Sequence, residues 1–102
     1  MELVHIGDEI ASRTIEWTDS SGHTSEVRMR VGRPQPFPDS ADVYCPIQVI
    51  GVGSERVMYA AGIDGIQAIS LALKMLRTEL DALQRELGGR LTWLNATALD
   101  LD

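Results

Sequence analysis

Cysteine occurs once in the 102 residues, at Cys45. That excludes an internal disulfide and the bridged framework typical of small secreted domains. Basic residues are few, nine Lys and Arg against fifteen Asp and Glu, for a net charge of −6. Nucleic-acid binding draws most of its affinity from clustered Lys and Arg neutralising phosphates, so this balance argues against it. It suits a cytoplasmic protein, or one whose partner is basic. Apolar runs reach only a handful of residues, short of the ~20 that cross a bilayer, so no membrane partner is expected. The opening Met1-Glu2-Leu3-Val4-His5 lacks the positive start and unbroken apolar stretch of a signal peptide, and secretion is not expected. There is no internal repeat and no low-complexity tract.

With 44% apolar and 24% charged residues, the composition is that of a folded chain rather than a disordered one. A chain of this length forms one core and buries roughly 65% of its unfolded surface, so residues 1–102 are read as a single domain.

Four strands are expected. Residues 10–17 place Ala11, Ile15 and Trp17 on one side and Ser12, Thr14 and Glu16 on the other, with Arg13 interrupting the apolar side. After the turn-rich run Thr18 to His23, residues 25–32 set Val27, Met29 and Val31 against Glu26, Arg28 and Arg30, the cleanest half-buried alternation in the chain. Gly32 through Asp42 contains three of the four prolines and reads as an irregular connection, because proline cannot donate to a ladder. Residues 43–50 are largely apolar on both faces, and Pro46 implies an edge or a bulge. Gly51-Val52-Gly53-Ser54 reads as a tight turn into a fourth strand over 55–61.

A helix is expected over 64–88. Asp64 is placed to cap it, with Gln67 completing a capping-box-like pair, and Gly88-Gly89 end it. Ile66, Ile69, Leu73, Leu76, Leu80, Leu83 and Leu87 recur every three or four residues, which predicts one apolar stripe. Around it the first half adds Ala68, Leu71, Ala72 and Met75, whereas the second half is a narrow seam between charged residues. A helix of ~37 Å should overhang strands of ~26 Å. The exposed seam would then be covered by the tail, residues 89–102, or by a second copy of the chain. The expected fold is therefore α+β: a four-stranded antiparallel meander, one long amphipathic helix packed on one face, and a short C-terminal tail.

No catalytic, metal or nucleotide signature emerges. Cys45 with His5 or His23 lacks an orienting Asn or Asp and any elbow motif, so Cys45 reads as a small core residue. Two histidines far apart, with no cysteine pair, do not make a metal site. Gly51 to Ser54 lacks the lysine and following helix of a phosphate loop. The carboxylates are scattered and read as solvated. No catalytic residue, metal or cofactor is assigned. The residues singled out for an interface are Leu80, Leu83, Leu87 and Trp93 at the helix end and tail, and Arg28 and Arg30, which share a strand face with Glu26 and are expected near Arg13.

The stretches Tyr44-Cys45-Pro46-Ile47-Gln48-Val49-Ile50-Gly51 and Tyr59-Ala60-Ala61-Gly62-Ile63-Asp64, followed by Gln67 to Lys74, resemble a group of small bacterial proteins grouped only as a domain of unknown function. The resemblance runs over about residues 10–95. It implies a bacterial cytosolic origin and a strand, strand, helix order in the second half, and it carries no catalytic residue.

Three functional expectations follow, in order. The first is a non-enzymatic protein-interaction module that neutralises or accompanies another protein, using the exposed sheet face or the helix end. The second is a small ligand-binding protein or enzyme with a pocket near the Pro34–Pro38 loop and the helix start, where Tyr44, Cys45, Tyr59 and Asp64 would converge. The third is a structural homodimer subunit.

Overall fold

The computed structural model describes residues 1–99 and 101. It is α+β, with one helix and a six-stranded antiparallel sheet. The strands are β1 (Glu9–Thr18), β2 (Thr24–Gly32), β3 (Gln35–Pro36), β4 (Val43–Ile50), β5 (Met58–Gly62) and β6 (Arg90–Thr92), and the helix is α1 (Gly65–Leu87). The expected four-strand meander is present as β1, β2, β4 and β5 but is not the whole sheet.

The two additional strands have different origins. Ile47 pairs with both Val31 and Met58, and Tyr44 with both Gln35 and Ala61, so β2 and β3 lie along the same edge of β4. Pairing with β2 runs Val31↔Ile47; pairing with β3 resumes one residue out of step at Gln35↔Tyr44. Thus β3 continues β2 beyond a bulge. The bulge is where Pro46 sits, in a central strand that tolerates the missing donor because the ladder is interrupted there. The proline segment is irregular as expected, apart from this short pairing and the Phe37 N–H donating to the Asp42 carbonyl at 2.9 Å.

The other addition, β6, is the start of the tail. It pairs with the outer edge of β1 through Glu16↔Thr92, Trp17↔Leu91 and Thr18↔Arg90. Gly88, with φ of 76°, ends the helix, and its carbonyl accepts the Trp17 indole N–H at 3.1 Å. The chain therefore turns back onto the sheet directly from the last helical turn.

Helix α1 begins as its sequence suggests. The Asp64 carboxylate accepts the Gln67 N–H at 2.8 Å, and the Gln67 side-chain oxygen accepts the Ile63 N–H at 2.8 Å, satisfying donors that a first turn leaves unpaired. Gly62 allows the helix to sit close to the sheet. A Cβ there would lie 2.6 Å from the Ala68 backbone nitrogen.

The buried row differs from the expected stripe. Ala68, Ala72, Leu76 and Leu80 face the core, with Ile69, Leu73 and Leu83 partly buried beside them, while Ile66 is 82% exposed. The two alanines decide this: small side chains let the backbone approach the strands, and rotating the helix to bury Ile66 would move them away. Leu87 remains 44% exposed, so the expected overhang is confined to the final turn.

The helix packs mainly on β4 and β5. A helix ~10 Å across covers about two strands spaced ~4.8 Å apart, which leaves the inner face of β1 and β2 open on that side. The tail fills the gap, and Leu91, Leu99 and Leu101 are buried in the same core as Ile15, Val27, Met29 and Val31. The tail does fold back, but onto the sheet beside the helix; of the expected seam, Leu83 packs against the Gly53 turn and Leu87 stays exposed. Among the described residues no helix is long and apolar enough to cross a membrane.

Candidate functional site

The face of the sheet away from the helix, here the outer face, carries an ordered group of polar and aromatic side chains. Alternation along β2 and β4 sends Val27, Met29, Val31, Cys45, Ile47 and Val49 into the core, and Arg28, Arg30, Tyr44 and Gln48 outward. Glu9 lies across the Arg pair, accepting from Arg28 Nη2 at 2.6 Å and from Arg30 Nε at 2.7 Å. The Arg30 guanidinium also donates to the Gln48 side-chain oxygen at 2.9 Å, and the Gln48 amide donates to the Glu55 carbonyl at 2.7 Å. The Glu9 carboxyl is held below its ordinary pKa, first by the Arg30 hydrogen bond, which with the charges of Arg28 and Arg30 outweighs the opposing desolvation.

Next along the same face is a cluster of three rings. Phe37 lies 5.2 Å from Tyr44 and 6.0 Å from Tyr59, and the two tyrosine rings are 5.8 Å apart, all tilted or edge-to-face. Such arrangements align ring edges with ring faces and hold the set in place. The proline segment brings in Phe37, β4 supplies Tyr44 and β5 supplies Tyr59.

Arg28 and Arg30 thus lie on the outer face as expected, where both pair with Glu9. Arg13 is not their neighbour. It points to the inner face, where its guanidinium stacks 3.8 Å from the Trp93 ring centroid and donates to the Leu99 carbonyl at 2.6 Å. A cation on the apolar side of β1 is accommodated because the tail supplies a ring face and a carbonyl. Trp93 accordingly packs within its own chain. Leu80 lies in the core with no exposed surface, and Leu83 packs against the Gly53 turn. Of the three helix-end leucines, Leu87 alone is largely exposed.

The pocket expected at the helix start does not assemble from its four residues. Tyr44 and Tyr59 meet on the outer face, but Cys45, next to Tyr44 on the strand, faces the core. Burial pushes its thiol up to about 11, leaving it a neutral, inaccessible group at ordinary pH. Asp64 is engaged in capping. A separate cleft of about 420 Å3 runs between the second half of the helix and the tail, lined by Arg77, Asp81, Gln84, Arg90, Leu91 and Leu99 among others. Its lining mixes charged, amide and hydroxyl side chains, Thr97 among them, with the apolar Leu91 and Leu99. Among the described residues, no three His, Cys, Asp or Glu side chains gather into a metal-binding group.

Glu9, Phe37 and the Arg13–Trp93 stack do not stand out in the sequence as functional residues. Arg13 left a signal, because a cation at an apolar strand position calls for a covering partner. Phe37 left none, since ring clustering depends on how the proline segment folds over β4.

The protein family described as Domain of unknown function (DUF6968) matches residues 11–101. No curated protein matches the chain, and no solved structure does.

Proposed function

We propose that this chain, which belongs to the DUF6968 family, is a non-enzymatic protein-binding module whose working surface is the outer face of the sheet. The observation that carries this reading is the side-by-side placement of the tied Glu9–Arg28–Arg30–Gln48 network and the Phe37–Tyr44–Tyr59 ring cluster. Arginine and aromatic side chains dominate binding energy at protein interfaces. Here both groups are ordered before any partner arrives, which lowers the entropy lost on binding. Two guanidinium groups share one carboxylate on a mixed-charge face that also carries Glu16 and Glu26. That face suits a polar protein surface with an acidic group to meet the arginines, and a protein held there would be accompanied or neutralised rather than chemically altered.

The test is site-specific photocrosslinking in the native cell, with the crosslinker placed at Thr14 on the outer face or at Lys74 on the helix. A discrete crosslinked species from Thr14, absent from Lys74 and lost in the Arg28→Glu/Arg30→Glu double variant, is the expected result. Crosslinking from Lys74 alone, or capture indifferent to both charge reversals, would place the working surface elsewhere.

A further inference from the structure

The outer face carries a covering segment of its own. Residues 1–8 form no strand or helix, yet they cross the sheet from the edge of β5 to the start of β1. Met1, Glu2 and Leu3 share an open cleft at the sheet edge with Arg56 to Tyr59 and with Met75 of the helix, Ile6 reaches Gly32 and Pro46, and Glu9 opens β1. Ile6 is 6% exposed, but it lies outside the main core cluster, on the opposite side of the sheet.

The seat beneath it is formed by an absent side chain. A Cβ at Gly32 would fall 2.5 Å from the Ile6 carbonyl oxygen and 3.0 Å from both Ile6 Cγ1 and Pro46 Cγ. The strap backbone therefore lies directly on the backbone of β2, at the bulge where Pro46 interrupts the ladder.

The strap itself is lightly held. One backbone hydrogen bond, from the Arg33 N–H to the Asp8 carbonyl at 2.8 Å, and a long Asp8–Arg33 ion pair at 3.8 Å secure its end. Val4, His5 and Gly7 are exposed, an open cleft of about 470 Å3 adjoins its first three residues, and Gly7 has a φ of 75°. Such a segment has little to hold it beyond one aliphatic anchor and can open locally at small cost. The stretch that matches the family, 11–101, contains Gly32, Arg33, Tyr44, Pro46 and Tyr59 but none of the strap.

We infer that the Gly32–Pro46 seat is a docking site for an extended segment of a partner protein, an aliphatic residue followed two positions later by an acidic one, and that residues 1–8 occupy it in competition. This inference rests on the outer face being the working surface and names what that surface takes. The aliphatic residue fills the place of Ile6, and the acidic residue meets Arg33 as Asp8 does. The ring cluster borders the seat along β4.

The experiment is fluorescence polarisation with a labelled nine-residue peptide of the strap sequence, Met1 to Glu9, titrated with the full-length chain. The wild-type chain, with its seat filled, binds weakly, and the full-length Ile6→Asp variant binds at least tenfold more tightly. A peptide carrying Ile6→Asp loses that gain. Should the Ile6→Asp chain fail to melt cooperatively, Ile6→Ser, which empties the seat without placing a charge in it, gives the same reading. Equal binding by both chains, no binding by the unseated variant, or indifference to the peptide's isoleucine overturns the inference. Because this titration turns on the seat and the crosslinking on Arg28 and Arg30, failure of one is distinguishable from failure of the other.

Discussion

Two leucines three positions apart in the tail should differ sharply in what they contribute. Leu91 is 5% exposed and packs with the core beneath β1, whereas Leu94, in the following turn, is 77% exposed. Leu91→Ala removes three carbons from that core, a transfer loss of about 2.4 kcal/mol at ~0.8 kcal/mol per methylene. The cavity adds to this, but β6 is a short edge strand that can settle inward, so the expected total is about 3 kcal/mol, in the lower half of the range for Leu→Ala substitutions. At ~4–8 °C per kcal/mol for a domain near this size, the midpoint should fall by about 12–24 °C. Leu94→Ala should stay within ~0.5 kcal/mol of wild type. Urea titration followed by circular dichroism measures both, and an unchanged m-value confirms that the same surface unfolds. If Leu91→Ala costs under ~1 kcal/mol, or no more than Leu94→Ala, the tail is not part of the core. The helix alone would then suffice to cover the inner face of the sheet.

Two further perturbations follow from the packing. Gly62→Ala should destabilise by ~2 kcal/mol or more, because its Cβ meets backbone rather than a movable side chain at Ala68 and the helix start must shift; a denaturant midpoint near that of wild type would show that the close approach is not needed. Cys45 should resist iodoacetamide in the native state at pH 8 and react on unfolding. Its thiol is raised from an ordinary 9.0 to about 11, so the folded state holds its proton more tightly than the unfolded state. The resulting stabilisation is complete below about pH 9 and is lost as pH rises through about 11. Rapid native labelling at pH 8, or a stability indifferent to pH over that interval in a comparison with Cys45→Ala, would contradict the assigned burial.

Local signals in the chain determined the elements. The alternation of β2, the residues 43–50, the Asp64 cap with Gln67, and the glycine stop at residue 88 were all legible, because each arises from backbone geometry and neighbours within a few positions. The outward Arg28 and Arg30 were legible for the same reason: a strand's period of two assigns their face once Val27 and Met29 are buried. Tertiary structure alone decided which of two apolar helix rows faces the sheet, since Ile66, Ile69 and Leu73 and the alanine row are equally periodic, and the choice depends on how closely the backbone can approach. It also decided that Glu9 bridges the arginines, that Arg13 lies under Trp93, and that Ile6 crosses the outer face. Each of these joins positions separated by many residues of chain, and a pattern read along the sequence carries no distance between them. The tail is the clearest case. Its leucines show no period, and what makes Leu91 and Leu99 core residues is the width of a sheet that one helix cannot cover.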